Sequence, residues 1–530
     1  MARSLRGLTL EELDIDVFLN MVDFLGQDRK SLFEFSLTSK WVRRMCLPIL
    51  FQSCRVSTTQ IYEDLLPLVI LCYSKCLRII GVYWADQPIN LTPLLKRLPL
   101  LHTVVFDEAY GGIPWPYIQS CLRQPSIVAL SITANAQWAA MPRWIRDTFP
   151  THHDIQAVPL SRLSYSTSSW RDLLARIDEV ELVDDCAVEA MCLRMLVPGM
   201  RNTAESLHLP METAPLAQMA HGIWPRLTTL SLEGFYPHPV VSTLSSLLAQ
   251  MPELRTFSVQ AAQSPESSRA PILGKDRWPQ VVPVLRSLTV AYPDPQDAIF
   301  SLPSTNLTRL SLRDWPRYYI SRYSRRCQLL PNSWVAPILT ATECLHILER
   351  MDLPRLQSLE VVYEVDDEDE RLLHRISTCY PCLSDLEIHR YRKNDRKEVV
   401  PHQHIAHTLG SIPHLRRLRL NLRFPNEPIP FEGVDLQRGI EKRRVLDWDN
   451  HLCGLAWEIF DAVGANTRPD FEHLALLYHD SWQNLWVYFS IEPDEDGPCQ
   501  HVDWGFPLRP GQLDWEIPPG PWPEYAGYSY

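Results

Sequence analysis

WPRLTTLSLEG occupies residues 224–234, and its reading decides how the chain folds. A proline and a leucine open it, and Leu230 and Leu232 follow with a single residue between them. The same phrase, Pro-x-Leu-x-x-Leu-x-Leu, returns as MPELRTFSVQ (251–260), VPVLRSLTVAY (282–292), TNLTRLSLRDW (305–315), LPRLQSLEVVY (353–363), YPCLSDLEIHRY (380–391) and IPHLRRLRLNLRF (412–424). Fainter copies are CLRIIGVYW (76–84), LPLLHTVVFD (98–107), QPSIVALSIT (124–133), PLSRLSYS (159–166), AESLHLP (204–210) and RPDFEHLALLYHD (468–480).

Alternation of leucine with other residues suits a strand that buries one face. Pro225 and Pro252 lie 27 residues apart, as do Pro354 and Pro381. A strand plus a return segment of about 20–29 residues is the unit of a leucine-rich repeat. Each unit buries its leucines only against its neighbours, so the strands are expected to line up in one parallel sheet. The stretches 241–250 and 369–379 read as short return helices. Two long gaps, from Pro303 to Pro354 and from Pro413 to Pro469, hold insertions or units without the phrase. The competing reading, strands of some other α/β fold, leaves unexplained why proline keeps phase. Asn or Cys, usual after the second leucine, is absent: EGF follows Leu232 and RDW follows Leu312. The repeats are therefore irregular.

Residues flanking the paired leucines are expected on the sheet's other, concave face. Among them are Glu233, Arg309, Arg313, Glu360, Asp385, Glu387, His389, Arg417 and Arg419, charges of both signs. A varied, charged face of this kind suits a protein or peptide target, though simple solvation of an exposed sheet face also accounts for it.

The totals restrict the class further. The chain has 530 residues, 45% hydrophobic and 22% charged, the balance of an ordinary folded protein. A net charge of −12 argues against a duplex-binding protein and gives no reason to expect a nucleic-acid partner. The longest apolar run, LLPLVILCY (65–73), is too short for a membrane helix. Thirteen scattered cysteines read as reduced thiols, which points to cytoplasm or nucleus. With 44 prolines against 19 glycines, many short elements are expected, and neither GxGxxG nor GxxxxGK[ST] occurs.

The N-terminal LDIDVFLNMVDFLGQDRKSLFEFSLTSKWVRRMCLPILFQSCRV (13–56) differs in character. Val17, Phe18, Met21, Val22 and Leu25 recur at helical spacing, and Leu32, Phe35, Leu37 and Trp41 do so again after GQDRKS. Pro48 opens a third short segment. So small a module carries more apolar surface than it can bury alone. The surplus docks on the following domain, on another protein, or on both.

Here the chain resembles the F-box family, in the form common among fungal F-box proteins. Leu13, Asp16, Val17, Val22, Leu25, Leu32, Ser36, Leu37, Ser39, Lys40, Trp41, Leu47, Pro48, Leu50 and Phe51 fall on its pattern. Asp14 stands where the family usually has proline. The resemblance covers about a tenth of the chain. It implies docking onto the Skp-type adaptor subunit of a cullin ubiquitin ligase, through Leu13, Val17, Phe18, Val22, Leu25, Leu32, Leu37, Trp41 and Pro48. The repeats would then hold a protein target. The other reading, favoured by Asp14, is a repeat scaffold outside any ligase whose N-terminal helices cap the solenoid.

The expected fold class is thus α/β: a small all-helical F-box-like module (8–56), an irregular leucine-rich-repeat solenoid with a parallel sheet (57–490), and a proline- and aromatic-rich tail (491–530) with little regular structure. No enzyme signature is found: neither GxSxG nor HExxH occurs, leaving only a cryptic site in the long gaps as a third reading. CYPC (379–382) with His389, His402, His404 and His407 invites zinc, but the repeat already explains its spacing. No cofactor, metal or membrane is expected.

Overall fold

A computed structural model describes residues 15–25, 29–62, 66–82, 91–110, 113–134, 145–146, 158–167, 182–235, 241–263, 269, 271–274, 284–315, 317, 337–392, 399–424, 439–464, 471–479, 484–494 and 497–507. The chain divides into two compact units. The first comprises Met1–Asp172, Val183–Thr203 and Gly511–Tyr530, the second Leu173–Leu182 and Ala204–Pro510.

In the first unit, helices α1 (Ile15–Leu25), α2 (Arg29–Ser36) and α3 (Lys40–Leu50) gather around Phe18, Val22, Leu32, Val42, Cys46 and Leu50. Ser39 caps α3, its hydroxyl accepting the Val42 N–H at 3.1 Å. Phe18 meets the Trp41 ring edge-on at 4.6 Å. The chain then runs into strand β1 (Ser53–Ser57), which pairs in parallel with β2 (Cys76–Val82). Residues 53–56, read from sequence as part of the helical module, are therefore the first strand of a sheet. Strands β3 (Thr103–Tyr110), β4 (Ala129–Ala134) and β5 (Arg162–Thr167) continue it, all parallel. Register places Cys54, Leu77, Val104, Leu130 and Leu163 in one buried column and Val56, Ile79, Phe106, Ile132 and Tyr165 in the next.

The second unit repeats this plan at greater length. Strands β6 (Ser206–Pro210), β7 (Thr229–Phe235), β8 (Thr256–Ala262), β9 (Ser287–Ala291), β10 (Arg309–Arg313), β11 (Ser358–Glu364), β12 (Asp385–Tyr391), β13 (Arg417–Asn421) and β14 (His473–His479) pair in that order, all parallel. The first leucine position forms a column through Leu230, Phe257, Leu288, Leu310, Leu359, Leu386, Leu418 and Leu474, and the second a column through Leu232, Val259, Val290, Leu312, Val361, Ile388, Leu420 and Leu476. Every one of these side chains is buried.

At the start of each strand from β7 to β14, two consecutive N–H groups donate to one carbonyl of the preceding repeat, as Arg255 and Thr256 do to Thr228, Ser384 and Asp385 to Gln357, and Arg416 and Arg417 to Ser384. The same pairing occurs in the first unit, where His102 and Thr103 donate to Lys75. These turns satisfy their donors without a side-chain acceptor.

Return helices appear at Val241–Leu248 and Asp369–Cys379, as read from sequence. The long gaps contain helices Ala341–Arg350 and Gly439–Gly464, the latter 26 residues long. A further difference lies at the C-terminal end. Strands β15 (Asn484–Asp494) and β16 (Gly497–Pro507) extend the sheet in antiparallel fashion where little regular structure is expected. Residues 508–530 of the expected tail lie outside the described residues.

Thr340 and Glu343 form a reciprocal capping box at the 341–350 helix, with the Thr340 hydroxyl accepting the Glu343 N–H and Glu343 accepting the Thr340 N–H. Thr340→Ala is expected to cost about 1 kcal/mol. The check is hydrogen exchange in that helix's first turn, where protection should fall.

Candidate functional site

The sheet face opposite the leucines in the second unit carries the chemistry. Along one row of this face, register sets Ser231, Ser258, Thr289, Ser311, Glu360, Glu387, Arg419 and Ala475 side by side. The hydroxyl-bearing half gives way to two adjacent carboxylates and then to an arginine. Two carboxylates on neighbouring strands, about 4.8 Å apart in the pairing direction, repel unless cations stand among them.

Three guanidinium groups supply those cations. Arg313 on β10 reaches Glu360 at 3.4 Å. Arg419 on β13 reaches Glu387 at 3.0 Å. Arg317, just beyond β10, lies 2.5 Å from Glu360 and 3.6 Å from Glu387, and carries its own counter-charge in Asp314 at 3.3 Å. Ser311 donates to Glu360 Oε2 at 2.6 Å. Asn421 Nδ2 faces His389 Nδ1 at 3.3 Å, so that ring nitrogen accepts and Nε2 carries its hydrogen toward Glu387 Oε1, 2.8 Å away. The Trp486 ring from β15 closes edge-on over His389 at 5.6 Å.

Burial alone would raise both carboxyl pKa values. At Glu387 the Arg419 charge, the His389 hydrogen bond and Arg317 outweigh it, and the pKa lies well below the ordinary carboxylate range. Burial is likewise the largest influence on Glu360, and Arg313 with Arg317 overcomes it, lowering that pKa too.

The ligand atoms of Glu360, Glu387 and His389 lie within 4.8 Å of one another, close enough to share a cation. The charge count opposes it. Arg313, Arg317 and Arg419 already balance Asp314, Glu360 and Glu387, and a divalent ion would add unmatched charge to a buried site. Cys379 and Cys382 are exposed and join no metal-ligand cluster among the described residues. Cys46, Cys121, Cys192 and Cys344 are among the free thiols, and burial pushes Cys121 and Cys192 up to about 12.

The expectation of an open charged face is corrected over its centre. Glu233, Arg313, Glu360, Glu387 and His389 are buried, Glu233 beside His208 at 3.1 Å and the other four within the charged cluster. Asp385, Arg417 and Arg419 are half-buried, Arg417 paired with Asp385, and Arg309 is exposed. Sequence reasoning missed Arg317 and Trp486. Both lie outside the repeat phase that located the others, and no periodic signal marks them.

The N-terminal residues divide in the same way. Phe18, Val22 and Leu32 are fully buried in the helical core, and Leu25 and Trp41 pack against it. Their apolar character holds the three helices together, which corrects the reading of them as free docking surface. Val17 (50% exposed), Leu37 (58%) and Pro48 face outward, joined by Ile15, Leu19, Met21 and Phe33 (55%). Leu13 lies outside the described residues.

The fold thus defines an α/β repeat protein with long parallel sheets. No family model and no curated protein sequence matches the chain. Among solved structures it is similar to the crystal structure of a TLR13–ssRNA13 complex, with a TM-score of 0.28 and 11% identity. That match covers 66% of this chain and 39% of the other. No described helix is long and apolar enough to cross a membrane.

Proposed function

We propose that this chain is a non-catalytic, protein-binding repeat scaffold that acts as the substrate-recognition subunit of a Skp–cullin–F-box type ubiquitin ligase. Its N-terminal helices dock the adaptor, and its repeats hold a protein target. One observation carries the reading. With Phe18, Val22, Leu32, Val42, Cys46 and Leu50 already closing the helical core, α1 and α2 still expose Ile15, Val17, Leu19, Met21 and Phe33, and the turn after α2 exposes Leu37. So many large apolar side chains on two short helices favour a macromolecular partner. The F-box resemblance names the adaptor as that partner. Holding a target beside a charged ubiquitin carrier raises the effective concentration of the reacting groups and asks no chemistry of this chain.

A second reading also has its observation. α3 runs straight into β1, and the three helices belong to the same compact unit as β1–β5. That continuity suits a helical cap on the sheet, with no ligase role.

Adaptor binding separates the two. Val17→Asp combined with Phe33→Asp is expected to weaken adaptor capture by about a hundredfold, roughly 2.7 kcal/mol, with helix content unchanged. Both side chains lie outside the core, so circular dichroism of the variant should match wild type. Failure of the intact protein to bind the adaptor would leave the cap reading.

A further inference from the structure

The charged centre of the second unit is completed by a residue that belongs to no strand. Glu360 and Glu387 stand directly opposite each other on β11 and β12, facing the same way. Each has a strand-borne arginine on its outer side, Arg313 for Glu360 and Arg419 for Glu387. Each is also oriented by a further donor, the Ser311 hydroxyl and His389 Nε2 respectively. Between the two carboxylates lies the Arg317 guanidinium, buried and in contact with both.

We infer that the Glu360–Glu387 pair is an arginine-recognition site occupied in cis by Arg317, and that a protein target displaces Arg317 by presenting an exposed arginine of its own. The inference deepens the reading of the repeats as a target-binding surface and rests on it. Three features of the geometry support it. The Arg317 guanidinium forks across three carboxylates, Nη2 facing Glu360 and Glu387 and Nη1 facing Asp314, a two-pronged geometry that a lysine ammonium cannot reproduce. The strand-borne pairs are balanced without Arg317, two arginines against two glutamates. Asp314, buried just beyond β10 and 3.3 Å from Arg317, stays with the sheet, so an incoming arginine that replaces Arg317 keeps the cluster balanced three against three. Replacement by an incoming arginine restores the same contacts, and selectivity for arginine follows from a site whose partners are buried and already oriented.

The test uses the full chain and the acetylated, amidated tetrapeptide Asp-Trp-Pro-Arg, which copies residues 314–317. Its affinity is measured by calorimetry for wild type and for Arg317→Ala. A site occupied in cis requires at least tenfold tighter binding to the variant, and no binding when citrulline replaces the peptide's arginine. Equal affinity for the two proteins, or binding indifferent to citrulline, overturns the inference. If Arg317→Ala does not fold, Arg317→Gln takes its place under the same criterion. If neither folds, Arg317 is not displaceable and the inference falls. Adaptor capture is read separately on both proteins. Its retention in a variant that fails to bind the peptide confines the failure to the arginine site, whereas its absence from wild type bears on the ligase reading instead.

Discussion

Glu387→Gln destabilises the centre of the second unit by about 3–5 kcal/mol, the usual cost of removing one partner from a buried, paired charge cluster. The substitution keeps the shape and one carbonyl acceptor but takes away a negative charge. Arg317 and Arg419 then sit in the interior with one carboxylate fewer, and a cluster balanced three against three acquires a net positive charge. Because the chain contains two compact units, a single melting temperature would mix their contributions. Hydrogen exchange in β11, β12 and β13 reads the loss where it occurs. The pH dependence supplies an independent check with a definite sign. Folding depresses the Glu387 pKa, so its contribution is present above the unfolded value of about 4.3 and is lost as pH falls through the folded value. The stability gap between wild type and Glu387→Gln should therefore narrow as pH drops below about 4.3. A gap of constant size down to pH 3 would mean that Glu387 contributes shape and no charge.

What could be read in advance follows from where the information lies. The paired leucines recur with their proline in phase, and each copy is local enough to be seen in a short window. Strands β2 to β14 accordingly lie on the quoted phrases, because a column of buried residues such as Leu359, Leu386 and Leu418 needs an apolar residue at the same position in every unit. The 439–464 helix breaks that rule, since its buried Leu452, Ala456 and Ile459 are set in a charged stretch that carries no repeat phase. The β15–β16 pair was hidden for a different reason. Its strands carry no leucine phrase: β15 is apolar and aromatic from Leu485 to Phe489 and pairs with the neighbouring β14, and proline, glycine and acid interrupt the sequence from Glu492 onward, through β16.

The site shows the same division. Glu360, Glu387 and His389 could be placed on one face from the strand period alone. Their burial could not, because it depends on Arg317 and Trp486 arriving from segments outside the phase. At the N-terminus the period identified the apolar positions but not their partners. Phe18 and Val17 are adjacent in sequence, yet one is sealed in the core and the other stands half exposed. An apolar periodicity cannot distinguish a module's own core from a surface kept for someone else.

Asp297→Ala is the other substitution with a large expected cost, about 4 kcal/mol, and its reason is hydrogen bonding rather than charge balance. The buried Asp297 carboxylate accepts the N–H of Ile272 at 2.6 Å, of Leu273 at 3.2 Å and of Ile299 at 2.8 Å, with Gly274 at 3.3 Å. One side chain thus caps the Ala298–Ser301 turn and fastens the 271–274 segment to it, and the Gly274 carbonyl returns a bond from the Ala298 N–H. Gly274 has a φ of 76°, a backbone conformation that glycine adopts freely. Alanine at 297 would leave at least three buried N–H groups without an acceptor, each costing about 1–3 kcal/mol and not strictly additively. Asparagine should rescue little, because its NH2 group would point a donor at donors. The titration of Asp297 itself runs opposite to that of Glu387. Burial is the dominant influence and raises its pKa, and the four N–H groups offset this only in part. Its pH-linked contribution is therefore full on the acid side and declines as pH rises through the folded value, so substitution at neutral pH reports the lost hydrogen bonds more directly than a pH profile does. Amide exchange at Ile272, Leu273 and Ile299 should accelerate together in Asp297→Ala. If only Ile299 responds, Asp297 is a simple turn cap and the 271–274 segment is held by something else.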